Sequence, residues 1–340
     1  MPSARALLTL LLFIASLAAG HARAGEPVGM RPLEVPSPAR GARLDGSLWY
    51  PAGPGGTPGE AGGTPVFRAT PARLGAPLAE GRFPLVLVSH GGLRSAPHMA
   101  DWLARGLAAE GMIVAVIRPP APASAEAALA EIWLRPDDLR TALDSLLADP
   151  ALAPHVDESR IGAVGLFLGG TSVLALAGAR LDPEGLRGAC DTPGRAMDCG
   201  WFAAQGLDLH AAELGPLAKV TPEPRLRAGV LVDPEFAALM TPESLRGISL
   251  PLTAISLGTA ESRPPALDAT PLLGRLPGLD TVTLPEAGRF DAFALCTPRG
   301  AAILAEEEPD APLCASHGRA AHHRMLLAEV LAGLRRGLGS

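Results

Sequence analysis

The sequence predicts an α/β fold in which a mostly parallel, doubly wound sheet carries helices on both faces and a small inserted loop or cap. Three observations predict it. Short, nearly continuous apolar runs recur along the chain, as strands covered on both faces require. Stretches with helical spacing alternate with them, the order of parallel βα units. A glycine-flanked turn at 165–170 joins one apolar run directly to an alanine- and leucine-rich helix.

Taken in order, residues 1–24 read as a secretory leader. Arg5 is the basic start, Ala6 to Ala19 the small and apolar middle, and Ala22-Arg23-Ala24 a small-x-small cleavage pattern. The apolar run is shorter than the roughly 18–20 residues of a spanning helix. The chain is therefore expected to be exported, periplasmic or extracellular, with no membrane insertion of the mature protein. Cleavage after Ala24 leaves 316 of the 340 residues, read as one domain over 25–340.

Residues 43–50 read as an early strand. Residues 53–76, rich in glycine, proline and threonine, read as an irregular loop. Strands are then expected at 85–89, 112–117, 161–166, 229–232, 252–256 and 281–284. Between them, residues 97–110 place Met99, Leu103 and Leu107 on one helical face. Residues 136–148 open with Pro136 and two aspartates, as a helix start should. Further helices are expected at 170–180, at 266–276 with an interruption at Pro271, and at 322–338. Residues 181–227 break the alternation and read as an inserted, cap-like segment.

Composition excludes several function classes. The net charge is −6, and removal of the leader with its two arginines moves it to −8, without basic clusters. Nucleic-acid binding is not expected of such a surface. The four cysteines allow three pairings; the sequential one, Cys190 with Cys199 and Cys296 with Cys314, closes two short loops and suits an exported chain. A zinc site fails on spacing, because no C-x₂-C pair or flanking histidine is present. Neither a metal nor a cofactor is implied. A dinucleotide site fails too, for want of G-x-G-x-x-G and of an acid about 20 positions on.

The chemistry should centre on Gly165-Leu166-Phe167-Leu168-Gly169. The pattern is that of the Gly-x-Ser-x-Gly turn, in which two glycines let neighbouring chains crowd a strained apex that presents a nucleophile. Here the apex is Phe167, which has no proton to lose and no lone pair. Upstream, Ser47-Leu48-Trp49-Tyr50-Pro51, the run from Pro84 through His90-Gly91-Gly92, and Leu134 through Pro136-Asp137-Asp138-Leu139 to Asp149-Pro150 complete a set of ordered motifs. With these the chain resembles the α/β-hydrolase superfamily, in particular its exported dienelactone hydrolase-like and platelet-activating-factor-acetylhydrolase-like esterases, over roughly residues 32–336.

The resemblance implies a carboxylic-ester hydrolase scaffold and assigns roles by position. Backbone donors near Gly91 and Gly92 and the N–H of Leu168 would form an oxyanion hole; the plainer alternative is a strand-to-loop turn of small residues. Glu261, in Gly258-Thr259-Ala260-Glu261, takes the position of the acid, unless it is simply a solvated surface glutamate. The position of the histidine, in Glu286-Ala287-Gly288-Arg289-Phe290, holds Arg289, whose guanidinium has no acceptor lone pair. An ion pair between Arg289 and Glu261 is expected.

Two of three triad members are thus replaced, which implies an inactive or very weak homologue that binds an apolar or ester-bearing ligand. Two alternatives remain. An active esterase would need another nucleophile, from Ser89, Ser95, Thr171 or Ser172, and a base from His90, His98, His155, His210, His317, His322 or His323. A protein-interaction module would use the cap and keep a vestigial pocket. Oligomeric state is not legible.

Overall fold

The computed structural model describes residues 27–92, 97–272, 274–307, 313–316 and 318–339. The expected leader, Ser95 and His317 lie outside the described residues. Ten strands form one sheet: β1 (Val28–Ser37), β2 (Ala42–Pro51), β3 (Thr57–Ala61), β4 (Thr70–Leu74), β5 (Phe83–Ser89), β6 (Ile113–Arg118), β7 (Val156–Leu166), β8 (Leu226–Val232), β9 (Leu252–Leu257) and β10 (Asp280–Leu284). Their order is β10-β9-β8-β7-β5-β6-β2-β1-β4-β3. The run from β10 to β6 is parallel throughout; β2 joins β6 antiparallel and forms a hairpin with β1.

The parallel strands read as apolar runs because both faces are covered. Leu85, Leu87, Ile113, Ala115, Ile161 and Ala163 face the core under α2 (Ala125–Ala148) and α3 (Leu168–Ala177), after α1 (Asp101–Ala109) in chain order. Val86, Val88, Val114, Val116 and Val164 face the opposite core, with α1 and the C-terminal helix (Arg319–Leu338). Each alternate side chain enters a different core, as the period of two dictates.

Four expectations are corrected. Residues 53–76 are not an irregular loop throughout: β3 and β4 pair antiparallel within them, and β4 meets β1 at Gly29 and Met30. Pro58 and Pro71 disguise these strands in the sequence, and they are tolerated because the hairpin lies at the end of the sheet. Pro32 and Pro36 hide β1 in the same way.

The helix expected to start at Pro136 starts at Ala125, with the Ser124 hydroxyl accepting the Ala127 N–H at 3.2 Å. Pro136 therefore sits inside it. A mid-helix proline removes one backbone hydrogen bond. The added half compensates by burying Ala125, Ala128, Leu129 and Ile132 under the cap.

The third correction concerns 266–276, which forms only short 3-10 turns, Pro265–Leu267 and Thr270–Leu272. Pro264, Pro265 and Pro271 leave few amide donors, and the Asp268 carboxylate takes the N–H and the hydroxyl of Thr270. Fourth, the inserted segment is shorter than 181–227, because β8 begins at Leu226. Its helices are α4 (Pro183–Arg187) and α5 (Cys199–Ala204). They are followed along the chain by α6 (Pro242–Arg246), α7 (Gly300–Glu307) and the C-terminal helix, α8.

The cap is tied by the Cys190–Cys199 disulfide, with Cα atoms 5.4 Å apart. Leu186, Phe202, Leu209 and Leu214 of the cap pack with Leu168 and Phe236, so it closes over the start of α3. The second disulfide joins Cys296 to Cys314, Cα atoms 5.9 Å apart. Among the described residues no helix is long and apolar enough to cross a membrane.

Candidate active site

The turn between β7 and α3 has the tight geometry its glycines imply. A Cβ on Gly165 would lie 2.0 Å from the Gly169 carbonyl oxygen, and one on Gly169 would lie 2.0 Å from that of Ser89. Neither position can accept a side chain without moving backbone. At the apex, Phe167 has φ 55° and ψ −117°, a conformation that costs a non-glycine residue about 1–3 kcal/mol. Its backbone is held from three sides. The N–H donates to Val232 O (2.8 Å), and the carbonyl accepts from Thr171 N–H and Glu235 N–H, both at 3.2 Å.

The Phe167 side chain is buried, at 5 % exposure. Its ring meets Phe293 nearly at right angles, 5.8 Å between centroids. Phe293 in turn lies 5.6 Å from Phe290, and the Arg289 guanidinium sits 4.4 Å above the Phe290 ring. An aromatic chain therefore runs from the apex to Arg289. Burial lowers the Arg289 pKa from its ordinary value, yet a guanidinium remains a donor without an acceptor.

The expected ion pair between Arg289 and Glu261 is not formed. Glu261 is exposed, and its pKa is lowered by its own peptide N–H and by the Thr259 hydroxyl. It is a solvated turn residue. The acids at the end of the central sheet are instead Asp233 and Glu235, which the order of the motifs does not mark. Asp233 is fully buried; its Oδ1 accepts the Leu257 N–H (3.0 Å) and lies 3.7 Å from Arg263 Nε. Glu235 is 4 % exposed, and its Oε1 lies 3.0 Å from where a Cβ on Gly92 would stand. Burial raises the Asp233 pKa to about 7 and the Glu235 pKa to about 8. The signal was present in Asp233-Pro234-Glu235 directly after an apolar run, at the edge where open α/β sheets place their sites.

Arg135 fixes the loop after β5. Its guanidinium donates to the carbonyls of His90 (2.8 Å), Gly91 (2.9 Å) and Gly92 (3.0 Å), and to Glu131 (2.9 Å). Glu131 also receives Arg40 (2.6 Å), which bonds Asp138 (2.9 Å), itself bonded by the Ser37 hydroxyl (2.7 Å). A planar cation with several donors suits three successive carbonyls, whereas a lysine would reach one or two.

The loop after β10 is fixed from α1 and α8. Trp102 Nε1 donates to Ala292 O (3.0 Å) and its ring stacks on His323 at 3.6 Å, 5° from parallel. His323 Nε2 meets Phe293 O at 2.8 Å, and His322 Nδ1 meets Asp291 at 2.7 Å. These contacts set where Phe293 stands relative to Phe167.

The alternative hydroxyls are occupied elsewhere or enclosed. Thr171 donates to Glu235 O, Ser172 donates to Leu168 O at 3.0 Å, and Ser89 is 4 % exposed. His322 and His323 serve the β10 loop, and His210 pairs with Asp191 on the cap surface. Among the described residues, no cluster of three or more His, Cys, Asp or Glu is placed to hold a metal ion.

No protein-family model matches the chain, and no curated protein does. Among solved structures, it is similar to a ferulic acid esterase from Streptomyces cinnamoneus, 20 % identical with a TM-score of 0.59, over 92 % of this chain and 90 % of that one. It also aligns with a dienelactone hydrolase from Anabaena variabilis, 16 % identical with a TM-score of 0.47, over 91 % of this chain and all of that one. The fold is the α/β-hydrolase fold.

Proposed function

We propose that this α/β-hydrolase-fold chain is a catalytically silent relative of ester hydrolases, inactive or nearly so toward carboxylic esters. The observation that carries the reading is the edge-on packing of Phe167 against Phe293 at the apex of the turn. An apolar pair occupies the place where a nucleophile would attack. In a serine hydrolase such as subtilisin, loss of the nucleophile or the histidine costs about 10⁶ in kcat; here both positions are changed.

What remains is suited to holding rather than cleaving. Arg135 keeps the His90–Gly92 carbonyls turned to itself, and the apex beside that loop is an apolar ring. An apolar or ester-bearing ligand matches such surroundings. Two disulfides and the leader-like residues 1–24 support an exported location, periplasmic or extracellular. The test is turnover of a short-chain nitrophenyl ester by the purified protein. No rate above buffer is expected; saturable turnover abolished by one serine-to-alanine change would overturn the reading.

A further inference from the structure

The inserted segment leaves cavities against the body of the fold, and their linings differ in charge. One of about 590 Å³ is lined by Arg180 and Arg187 but also by Glu213 and Glu243. Another of about 380 Å³ sets Arg195 and Arg275 against Asp182 and Glu243. Both are balanced. A third, of about 400 Å³, carries Arg140 and Lys219 against Asp137 alone. In a chain of net charge −6, this lining holds one positive charge in excess.

The third cavity lies where α2 meets the 3-10 turn Gly215–Lys219. From α2 come Trp133, Leu134 and the buried Pro136; from the turn and the residue after it come Pro216 and Val220. This wall is apolar, and its two prolines bring no N–H that would need a partner. Arg140 ties the two sides together, donating to the Asp137 carboxylate of its own helix and to the Thr221 hydroxyl beyond the turn. Asp137 is thereby paired. Lys219 is exposed, and among the described residues no acid stands within ion-pair distance of it. The turn bonds to itself, Leu217 N–H to Leu214 O (3.1 Å) and Val220 N–H to Leu217 O (3.3 Å). The chain rejoins α3 only at Glu223, whose N–H donates to Leu176 O (2.8 Å). Local bonding of this kind lets one wall adjust to an occupant.

We propose that this cavity is a binding site for an apolar monocarboxylate, separate from the apex of the β7–α3 turn. The head lies between the Lys219 ammonium and the Arg140 guanidinium, and the tail lies on Trp133, Pro136 and Val220. The volume falls in the range of small-molecule sites, about 300–1,000 Å³. One excess positive charge matches a monoanion. A phosphate dianion would leave a negative charge unmatched beside Asp137, and an uncharged ester would leave Lys219 unpaired. The site stands whether or not the apex is inert.

Calorimetric titration of the full protein with octanoate at pH 7 tests this and should show one saturable site. Octanamide, alike in shape but uncharged, should bind at least about tenfold more weakly. Lys219→Gln should weaken octanoate about three- to fivefold, as loss of an exposed ion pair does. Ala39 is exposed at the rim; Ala39→Glu should weaken binding by a similar factor through repulsion, whereas Ala39→Gln should not. Saturating octanoate should also slow acetylation of Lys219, the only lysine of the chain, as read by peptide mass. The site would be overturned by any of four results: no saturable binding at millimolar octanoate, octanamide bound as tightly, affinity unmoved by Lys219→Gln or by Ala39→Glu, or unchanged acetylation. Affinity lost in Phe293→Ala but kept in Lys219→Gln would move the ligand to the apex instead.

Discussion

Phe167 and Phe293 meet edge to face, 5.8 Å between ring centroids, and each is placed by backbone bonds that do not depend on the other: Phe167 through Val232 O, Phe293 through the His323 contact at its carbonyl. The scaffold therefore presents two side chains toward one point whatever their chemistry. Here they are two rings. Burying the Phe167 ring contributes about 1.5–3 kcal/mol, enough to offset the strain at its φ.

This pairing predicts a measurable coupling. Phe167→Ala and Phe293→Ala should each destabilise by about 2–4 kcal/mol in urea unfolding. The double variant should fall short of additivity by about 0.5–1.5 kcal/mol, the worth of an aromatic pair. Full additivity would mean that the rings do not interact in solution.

Repair should be cooperative. Phe167→Ser alone gives a hydroxyl without a base, and Arg289→His alone gives a base without a nucleophile; neither should raise nitrophenyl ester turnover. The double variant should gain at least tenfold over either. Glu261→Ala in that background should change the rate less than about threefold, because Glu261 is in solvent. A larger loss would return Glu261 to the site.

Arg135→Met should be severe. It would strip donors from three carbonyls and leave Glu131 with one fewer cation. A loss of about 3 kcal/mol is expected. Arg135→Lys should recover less than half of it, since an ammonium lacks the planar fork.

His323 gives the fold a pH dependence on the acid side. Burial lowers its pKa to about 4, so the folded protein keeps it neutral while the unfolded chain binds a proton below about 6.5. Its contribution is intact above that value and is lost as pH falls toward 4. His323→Phe, which keeps the stack on Trp102, should lessen the fall in stability between pH 6.5 and 4.5 in thermal scans. An identical acid limb in the variant would place the titrating group elsewhere.

Much of this was legible in the sequence because strands buried on both faces must be apolar throughout. Ile113 to Ile117 or Leu252 to Leu257 leave little choice of environment. The turn at 165–170 was legible for a steric reason, two glycines where neighbouring backbone approaches within van der Waals distance. The edge of the sheet was not, because Pro32, Pro36, Pro58 and Pro71 carry the signature of loops and are harmless only where pairing ends. Pro136 misled for a related reason: burial beneath the cap, a long-range fact, keeps the helix running through it. Glu261 stands at the acid's motif position, but which acid is buried depends on how β8 and β9 end side by side. The role of Arg135 depends on a loop 45 residues away in sequence.

The most direct test of inertness is exposure of the purified protein to a fluorophosphonate, followed by intact-mass measurement. With Phe167 at the apex no adduct should form, and Phe167→Ser with Arg289→His should label. Stoichiometric modification of the unaltered chain, mapped to any serine, would contradict the account.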